Sequence, residues 1–501
     1  MNPTLPTDLV TLKEILVIAP MAAMFLISLI PLLLKPFLGN REPNPFTVLV
    51  YNFVGLLTAA GLTAAFFGHG FGGKTFAFSN AVVLDGTTVF MSYLVYIATG
   101  VGLMLAYEHV ATRGRQFTEF CFLMMSSAVG MLILIMANDL IVTFIGIETM
   151  SLCLYILVAM SREQTLSKEA AFKYFVLGSF ASAIFLYGVA LIYGTVGSTY
   201  FPDIATEGVK LITTNRVFLV GTVLVTIGFA FKVAVFPLHS WAPDVYQGAA
   251  TPVTAFMSTA VKAASFVAFL RFFTTDAIAL SPHFLGVMTW LAVLTMTIGN
   301  VAAVMQNNFK RILAYSSVAH SGYAMIGLIT AGFGTNYDAA ATSLLFYLFS
   351  YTLMTLGTFA LICVFEKNEN TSLEVNDLRG VGRRYPWLGM SMTILLLSLA
   401  GIPPLLGFFA KFYVFSAAIE QDMYWLVFWG AINSVISVYY YLRPIVVMYM
   451  MEDENSAASP LMKSQILTRG TVVVTAMLIV VLGLLSSPLF KMVQRSVLNQ
   501  F

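Results

Sequence analysis

Residues 217–253 read VFLVGTVLVTIGFAFKVAVFPLHSWAPDVYQGAATPV. The first half is apolar enough to cross a bilayer, yet Lys232 follows roughly four helical turns of apolar residues and Pro237 comes five residues later. A proline inside a helix removes one backbone hydrogen bond and clashes with the preceding turn. In hydrocarbon the freed carbonyl needs a partner, so a broken helix persists only where it faces protein or a water-filled cavity. The pattern predicts an interrupted membrane helix with a lysine beside the interruption, hence a hydrated polar site. The alternative is a plain proline kink with a lysine snorkelling to the interface, and the depth of Lys232 speaks against it.

Working outward, 59% of the 501 residues are hydrophobic and only 10% are charged, the composition of a polytopic membrane protein. Fourteen apolar segments are long enough to cross, starting near residues 14, 46, 82, 119, 139, 168, 216, 251, 284, 309, 338, 388, 424 and 470. These are numbered helices 1 to 14, so the stretch above is helix 7. Asp8, Lys13 and Glu14 precede helix 1 in place of a basic run, and no small-residue cleavage site follows, which predicts a retained helix, not a signal peptide. The longest polar connection, Glu366 to Tyr385, is too short for a core of its own. Cys121, Cys153 and Cys363 fall in apolar helices, with no CxxC pair and no cysteine and histidine spacing suited to zinc or iron-sulfur clusters. No glycine-rich nucleotide turn follows a strand, so redox chemistry is not expected in this chain.

Connections after odd-numbered helices hold most of the cations: Lys35 and Arg41, Arg113 and Arg115, Arg162 and Lys168, Lys310 and Arg311, then Lys367, Arg379, Arg383 and Arg384. The positive-inside rule places these connections in the cytoplasm and both termini on the opposite side.

An internal repeat shapes the architecture. GMLILIMANDLIVTFIGIETMS from Gly130 aligns with GNVAAVMQNNFKRILAYSSVAH from Gly299 at an offset of 169, with Met136 matching Met305 and Asn138 matching Asn307. Lys232 and Lys411 stand 179 residues apart, both beside prolines, and support the repeat. Helices 4–8 then match helices 9–13, and five crossings per unit force the second unit upside down, as in many transporters. The expected fold is an all-α polytopic membrane protein of about 14 transmembrane helices, with two inverted five-helix repeats and broken helices 7 and 12. Its expected divisions are 1–118 (helices 1–3), 119–275 (first repeat), 284–451 (second repeat) and 452–501 (helix 14).

Candidate site residues lie inside these helices. TFIGIETMSLCLYILVAM, residues 143–160, carries Glu148 near its middle, where a carboxylate costs roughly 2.5–3.5 kcal/mol and is functional by default. Helix 12, LGMSMTILLLSLAGIPPLLGFFAKFYVFSA, sets Lys411 two turns after GIPP. In helix 8, Thr251, Thr254, Ser258, Lys262 and Ser265 recur at one-face spacing. Helix 10 does likewise with Ser316, Ser317, His320 and Ser321, and helix 13 with Asn433, Ser437 and Tyr441. The hydroxyls either hold a chain of waters or let helices pack closely, and His320 is either a relay or a satisfied core histidine. Lys173 in helix 6 is either a snorkelling lysine or the partner of Glu148; such a pair holds both groups charged, and separating it frees a proton.

Glu148, the lysines of helices 6, 7, 8 and 12, the two breaks and FKVAVFPLHSWAPDVYQGAATPVTAF together resemble the antiporter-like membrane subunits of respiratory complex I, over essentially the whole chain. Lys411 stands where the M-type branch has a glutamate, and only about ten residues follow helix 14, where the L-type branch has a long lateral helix; both favour the N-type branch. The resemblance implies that Glu148 and Lys232 form a pair between helices 5 and 7 with Lys173 as modulator. It implies that Lys262 and His320 relay protons across the middle and that Lys411 serves the exit. It implies proton translocation coupled to quinone reduction in a bacterial plasma membrane, within NADH:quinone oxidoreductase. NADH, FMN and iron-sulfur clusters are then expected on partner membrane and peripheral subunits, with quinone as substrate of the whole, lipid as surroundings and no nucleic acid. The competing class is a subunit of a multisubunit Mrp-type cation/proton antiporter, which looks similar.

Overall fold

The computed structural model describes residues 11–38, 42–68, 74–111, 116–161, 165–274, 282–366, 373–451 and 465–498. Asp8, Arg41, Arg113, Arg115, Arg162 and Lys367 lie outside the described residues. Among the described residues, twelve continuous helices are long and apolar enough to cross a membrane. Helices 1–6 are Leu12–Leu34, Pro45–Gly68, Gly86–His109, Phe117–Met136, Leu140–Ala159 and Thr165–Val196. Helix 8 is Thr251–Phe273. Helices 9–11 are Pro282–Val304, Phe309–Phe333 and Tyr337–Phe365, and helices 13 and 14 are Tyr424–Met450 and Ile466–Leu484. The two remaining crossings are broken as expected: helix 7 into Arg216–Lys232 and Trp241–Gly248, helix 12 into Pro386–Ala400 and Leu406–Ile419. Helix 8 is enclosed on every side and helices 10 and 11 nearly so, while helices 1, 2, 6, 13 and 14 form the outer wall.

The repeat is written into backbone detail. Beside helix 4, an added Cβ on Gly130 would lie 2.4 Å from the Met150 nitrogen of helix 5; beside helix 9, one on Gly299 would lie 2.6 Å from the Ala319 nitrogen of helix 10. Both pairs keep the offset of 169. Asp139 and Asn308 cap helices 5 and 10 from the same offset. Leu140 N–H donates to Thr199 and Phe201 N–H to Asn138; their counterparts are Phe309 to Leu373 and Val375 to Asn307. An odd number of crossings per unit inverts the second copy.

The breaks share a form. Helix 7 stops with Ala234 at φ 57° and the Val235 N–H reaching back to Ala230 O at 2.9 Å; helix 12 stops with Gly401 at φ 91° and Ile402 N–H reaching Leu397 O at 3.0 Å. This is a helix C-terminal cap closed by a left-handed residue, which glycine adopts freely and alanine at about 1–2 kcal/mol. A proline follows three residues later in each, Pro237 and Pro404. The breaks therefore align at an offset of 167, and the pairing of Lys232 with Lys411 at 179 is corrected: Lys232 ends the first piece of helix 7, whereas Lys411 belongs to the second piece of helix 12.

Other expectations change as well. A short antiparallel hairpin, Thr75–Ala77 with Val82–Leu84, precedes helix 3. Met257–Val261 form a π turn within helix 8, just before Lys262, so its hydroxyl stripe shifts register there. Lys310 and Arg311 are the first turn of helix 10, not a solvated connection. Helix 14 begins at Ile466 and is followed by an amphipathic helix, Ser486–Leu498, against helices 3 and 11.

Candidate functional site

The helix 7 break is sealed by neighbouring side chains. Ser321 of helix 10 donates to the Val233 carbonyl at 2.5 Å, and the Trp241 indole donates to Phe231 O at 3.0 Å while its ring stacks on Tyr174, centroids 4.9 Å apart. Thr295 of helix 9 accepts from the Phe236 N–H at 3.0 Å. Because the break is satisfied from all sides, the end of the first piece is held fixed, and Lys232 points into the bundle. Its Nζ donates to Ser151 Oγ of helix 5 at 2.8 Å.

Lys262, just past the π turn, donates to both the carbonyl and the hydroxyl of Ser317, each at 2.5 Å, and lies 5.3 Å from the centre of the Tyr351 ring. One turn on from Ser317, His320 bonds Tyr347 through Nδ1 at 2.6 Å and Tyr441 through Nε2 at 3.1 Å. Tyr441 also bonds Ser316. A hydroxyl both donates and accepts, so an imidazole between two phenols can pass a proton by reorienting either one. Tyr323 lies edge-on to His320, 5.7 Å between centroids, and Lys411 Nζ is 4.8 Å from its ring centre. Lys411 donates to Ser434 Oγ and to Ala400 O, both at 2.9 Å; the second bond satisfies the carbonyl freed by the helix 12 break.

Lys232, Lys262 and Lys411 are all buried, and among the described residues no carboxylate lies within 4 Å of any of them. Holding an ammonium there costs solvation that hydroxyls and aromatic faces return only in part. Lys232, Lys262, His320 and Lys411 thus form a set of buried titratable bases, and where two of them lie close together in so poorly solvated a site, charge on one disfavours charge on the other.

Glu148 accepts from Ser182 of helix 6. It is half-buried, in line with the outward-facing Ile145 and Leu152 of helix 5. Ser151, one turn along helix 5, accepts from Lys232 and gives its own hydrogen to the Ile147 carbonyl at 2.5 Å, so among the described residues neither a hydrogen bond nor an ion pair within 4 Å joins Glu148 to Lys232. The expected pairing of Lys173 with Glu148 is corrected: Lys173 bonds Asp244 at 2.8 Å and Glu169 at 2.6 Å. Ser182, which does face Glu148, is nine residues further along helix 6, about 13 Å. Lys173 is 40% exposed and Asp244 also takes Arg311 at 2.9 Å, so this cluster lies at one mouth of the bundle. Sequence reasoning missed Asp244, Tyr323, Tyr347, Tyr351 and Glu366. Tyr347, Tyr351, Thr355 and Thr358 recur at one-face spacing in helix 11, the signal that would have found the tyrosines.

Broken helices bracketing a desolvated row of titratable bases define a membrane protein built to move protons or cations. A family described as NADH:quinone oxidoreductase/Mrp antiporter, TM, matches residues 137–437, and the chain belongs to it. NADH-quinone oxidoreductase subunit N of Bdellovibrio bacteriovorus is 50% identical over 487 residues, 97% of this chain and 99% of that protein. The subunit N of Trichlorobacter lovleyi is 38% identical over 446 residues, 88% of each. A chain of respiratory complex I from Thermus thermophilus superposes with a TM-score of 0.78 at 31% identity, covering 94% of this chain and 98% of that one. One from the Mrp complex of Dietzia superposes at 0.80 with 21% identity, a likeness of fold alone.

Proposed function

We propose that this chain is the proton-translocating membrane subunit of an NADH:quinone oxidoreductase, coupled to quinone reduction on partner subunits. The observation that carries the reading is the set of buried bases, Lys232, Lys262, His320 and Lys411, each bonded to a hydroxyl and, for the three lysines, without a carboxylate within 4 Å among the described residues. Glu148, one turn along helix 5 from the Ser151 that holds Lys232, supplies through space the negative charge that biases the first lysine, and Lys173 adjusts the mouth through Asp244. Lys411 hands the proton to the exit. The repeats 119–275 and 284–451 form the two half-channels, flanked by 1–118 and 452–501. NADH, FMN and iron-sulfur clusters belong to the partners. Exposed Lys168, Arg379, Arg383 and Arg384 all lie at the face where odd-numbered helices end, which supports a cytoplasmic assignment for that face and the termini opposite, in a bacterial plasma membrane.

The test is Lys232→Arg in the assembled complex. Arginine keeps the charge and does not release it at working pH, so proton pumping coupled to quinone reduction should fall by about tenfold or more. Wild-type pumping by a fully assembled variant would sink the reading. Sodium transport in the absence of NADH would favour the antiporter class instead.

A further inference from the structure

Glu366, at the C-terminal end of helix 11, is a buried carboxylate that the row of lysines does not use. Its two oxygens have different partners. Oε1 faces Lys310 Nζ at 3.1 Å. Oε2 accepts from Thr251 Oγ1 at 2.6 Å and lies 3.6 Å from His109 Nε2. One carboxylate oxygen therefore stands between an imidazole and a hydroxyl. That hydroxyl is the first residue of helix 8 and opens the row that leads to Lys262.

Two polar rows run inward from this point. On helix 8 they are Thr254 and Ser258; on helix 11, Thr358, Thr355 and Tyr351, spaced three and four apart. The Tyr351 hydroxyl lies beside Thr355 and beside Ser317, which holds Lys262. Thr355 Oγ1 is buried without a hydrogen bond to any described group, an acceptor and donor that a water bridging to the rows would satisfy. Thr251 to Lys262 is about 16 Å along helix 8.

We propose that His109 and Glu366 form a proton-loading dyad at the face where odd-numbered helices end, feeding Lys262 through the hydroxyls between helices 8 and 11. The proposal rests on the relay reading above and assigns its inlet. A hydronium ion from the bulk protonates neutral His109 at Nε2 and departs as water; the N–H proton then passes to Glu366 Oε2, leaving a neutral imidazole and a neutral carboxyl. The carboxyl then gives its proton to Thr251 Oγ, which releases its own into the row, and the net result is one proton delivered to the Lys262 amine. Burial alone would raise the Glu366 carboxyl, but the Lys310 ammonium and the His109 imidazole outweigh it and hold the group below the ordinary carboxylate range. Glu366 thus rests as an anion and carries the proton only in passing, while imidazole is the side chain suited to load near neutral pH.

The experiment measures NADH-driven proton pumping and its solvent isotope effect in the assembled complex, with E366Q/K310M, H109Q and K262R. The double variant removes both buried charges together, so a merely structural Glu366 would leave pumping intact. Pumping by E366Q/K310M and by H109Q should fall about tenfold, as expected for loss of a proton-transfer group, with the isotope effect rising as delivery becomes rate-limiting. Wild-type pumping in an assembled E366Q/K310M complex overturns the dyad. Should the double variant not assemble, H109Q, which changes no fixed charge, decides by the same criterion. Wild-type pumping by K262R would instead overturn the underlying relay, whereas K262R impaired beside an intact double variant rejects the dyad alone.

Discussion

The Ser321 hydroxyl on helix 10 donates to the Val233 carbonyl at 2.5 Å, joining the two halves of the molecule at the helix 7 break. Val233 is the residue after Lys232, so this bond fixes the direction in which the lysine leaves the backbone. Ser321→Ala leaves a buried carbonyl without its donor, a loss of about 1–3 kcal/mol. The expected outcome is a lower thermal midpoint of the detergent-solubilised complex and reduced pumping, while Ser321→Thr, which keeps the hydroxyl, holds both near wild type. An unchanged midpoint and rate in Ser321→Ala would show that the break is held by other contacts.

Glu148 lies one turn along helix 5 from Ser151, the residue that holds the Lys232 ammonium, so any influence of its charge on the lysine acts through space. Glu148→Gln keeps the shape and abolishes the charge, and should lower turnover sharply, whereas Glu148→Asp retains much of it. Ser151→Ala should slow pumping with charge unaltered, because the Lys232 ammonium loses its hydroxyl acceptor. Equal behaviour of Gln and Asp at 148, read as quinone reductase and pumping rates, would remove charge as the reason.

The repeat makes a paired prediction about packing. Gly130→Ala and Gly299→Ala each drive a methyl group into the backbone of the partner helix, 2.4 Å from Met150 N and 2.6 Å from Ala319 N. Overpacking of this kind costs about 1–3 kcal/mol, so the two variants should lower complex yield by similar amounts on native gels. A large loss from one and none from the other would mean that the two helix pairs are not equivalent.

Much of this architecture is readable from residues. Apolar length set the fourteen crossings, and a lysine near a proline marked both breaks, because hydrocarbon leaves backbone and charge few ways to be satisfied. Partners were harder. Lys173 and Glu148 were expected to meet because both are costly in a membrane, but which acid meets which base depends on helix rotation and translation, and Ser182 rather than Lys173 is at the right height on helix 6. The π turn before Lys262 was equally hidden, since no residue type marks it. Glu366 was read as the start of a polar connection, whereas packing encloses it with Lys310 and Thr251.

Lys411 combines two roles that substitution can separate. Its Nζ donates to the Ala400 carbonyl freed by the helix 12 break and to Ser434 Oγ. A lysine that has given up its proton still carries two N–H donors, so the break stays satisfied in either state and the carrier cycles without unravelling the helix. Lys411→Gln provides an amide donor of similar reach but cannot titrate, so the complex should assemble normally and stop pumping. Lys411→Ala removes both donor and carrier, so it should lose stability by about 1–3 kcal/mol as well as pumping, the cost of an orphaned buried carbonyl. Lys411→Glu restores a titratable group without the donor, and should recover part of the pumping in a less stable complex. Thermal midpoints and pumping rates of the three variants, taken together, decide the matter: if Lys411→Gln pumps as wild type, Lys411 only seals the break and the exit carrier lies elsewhere.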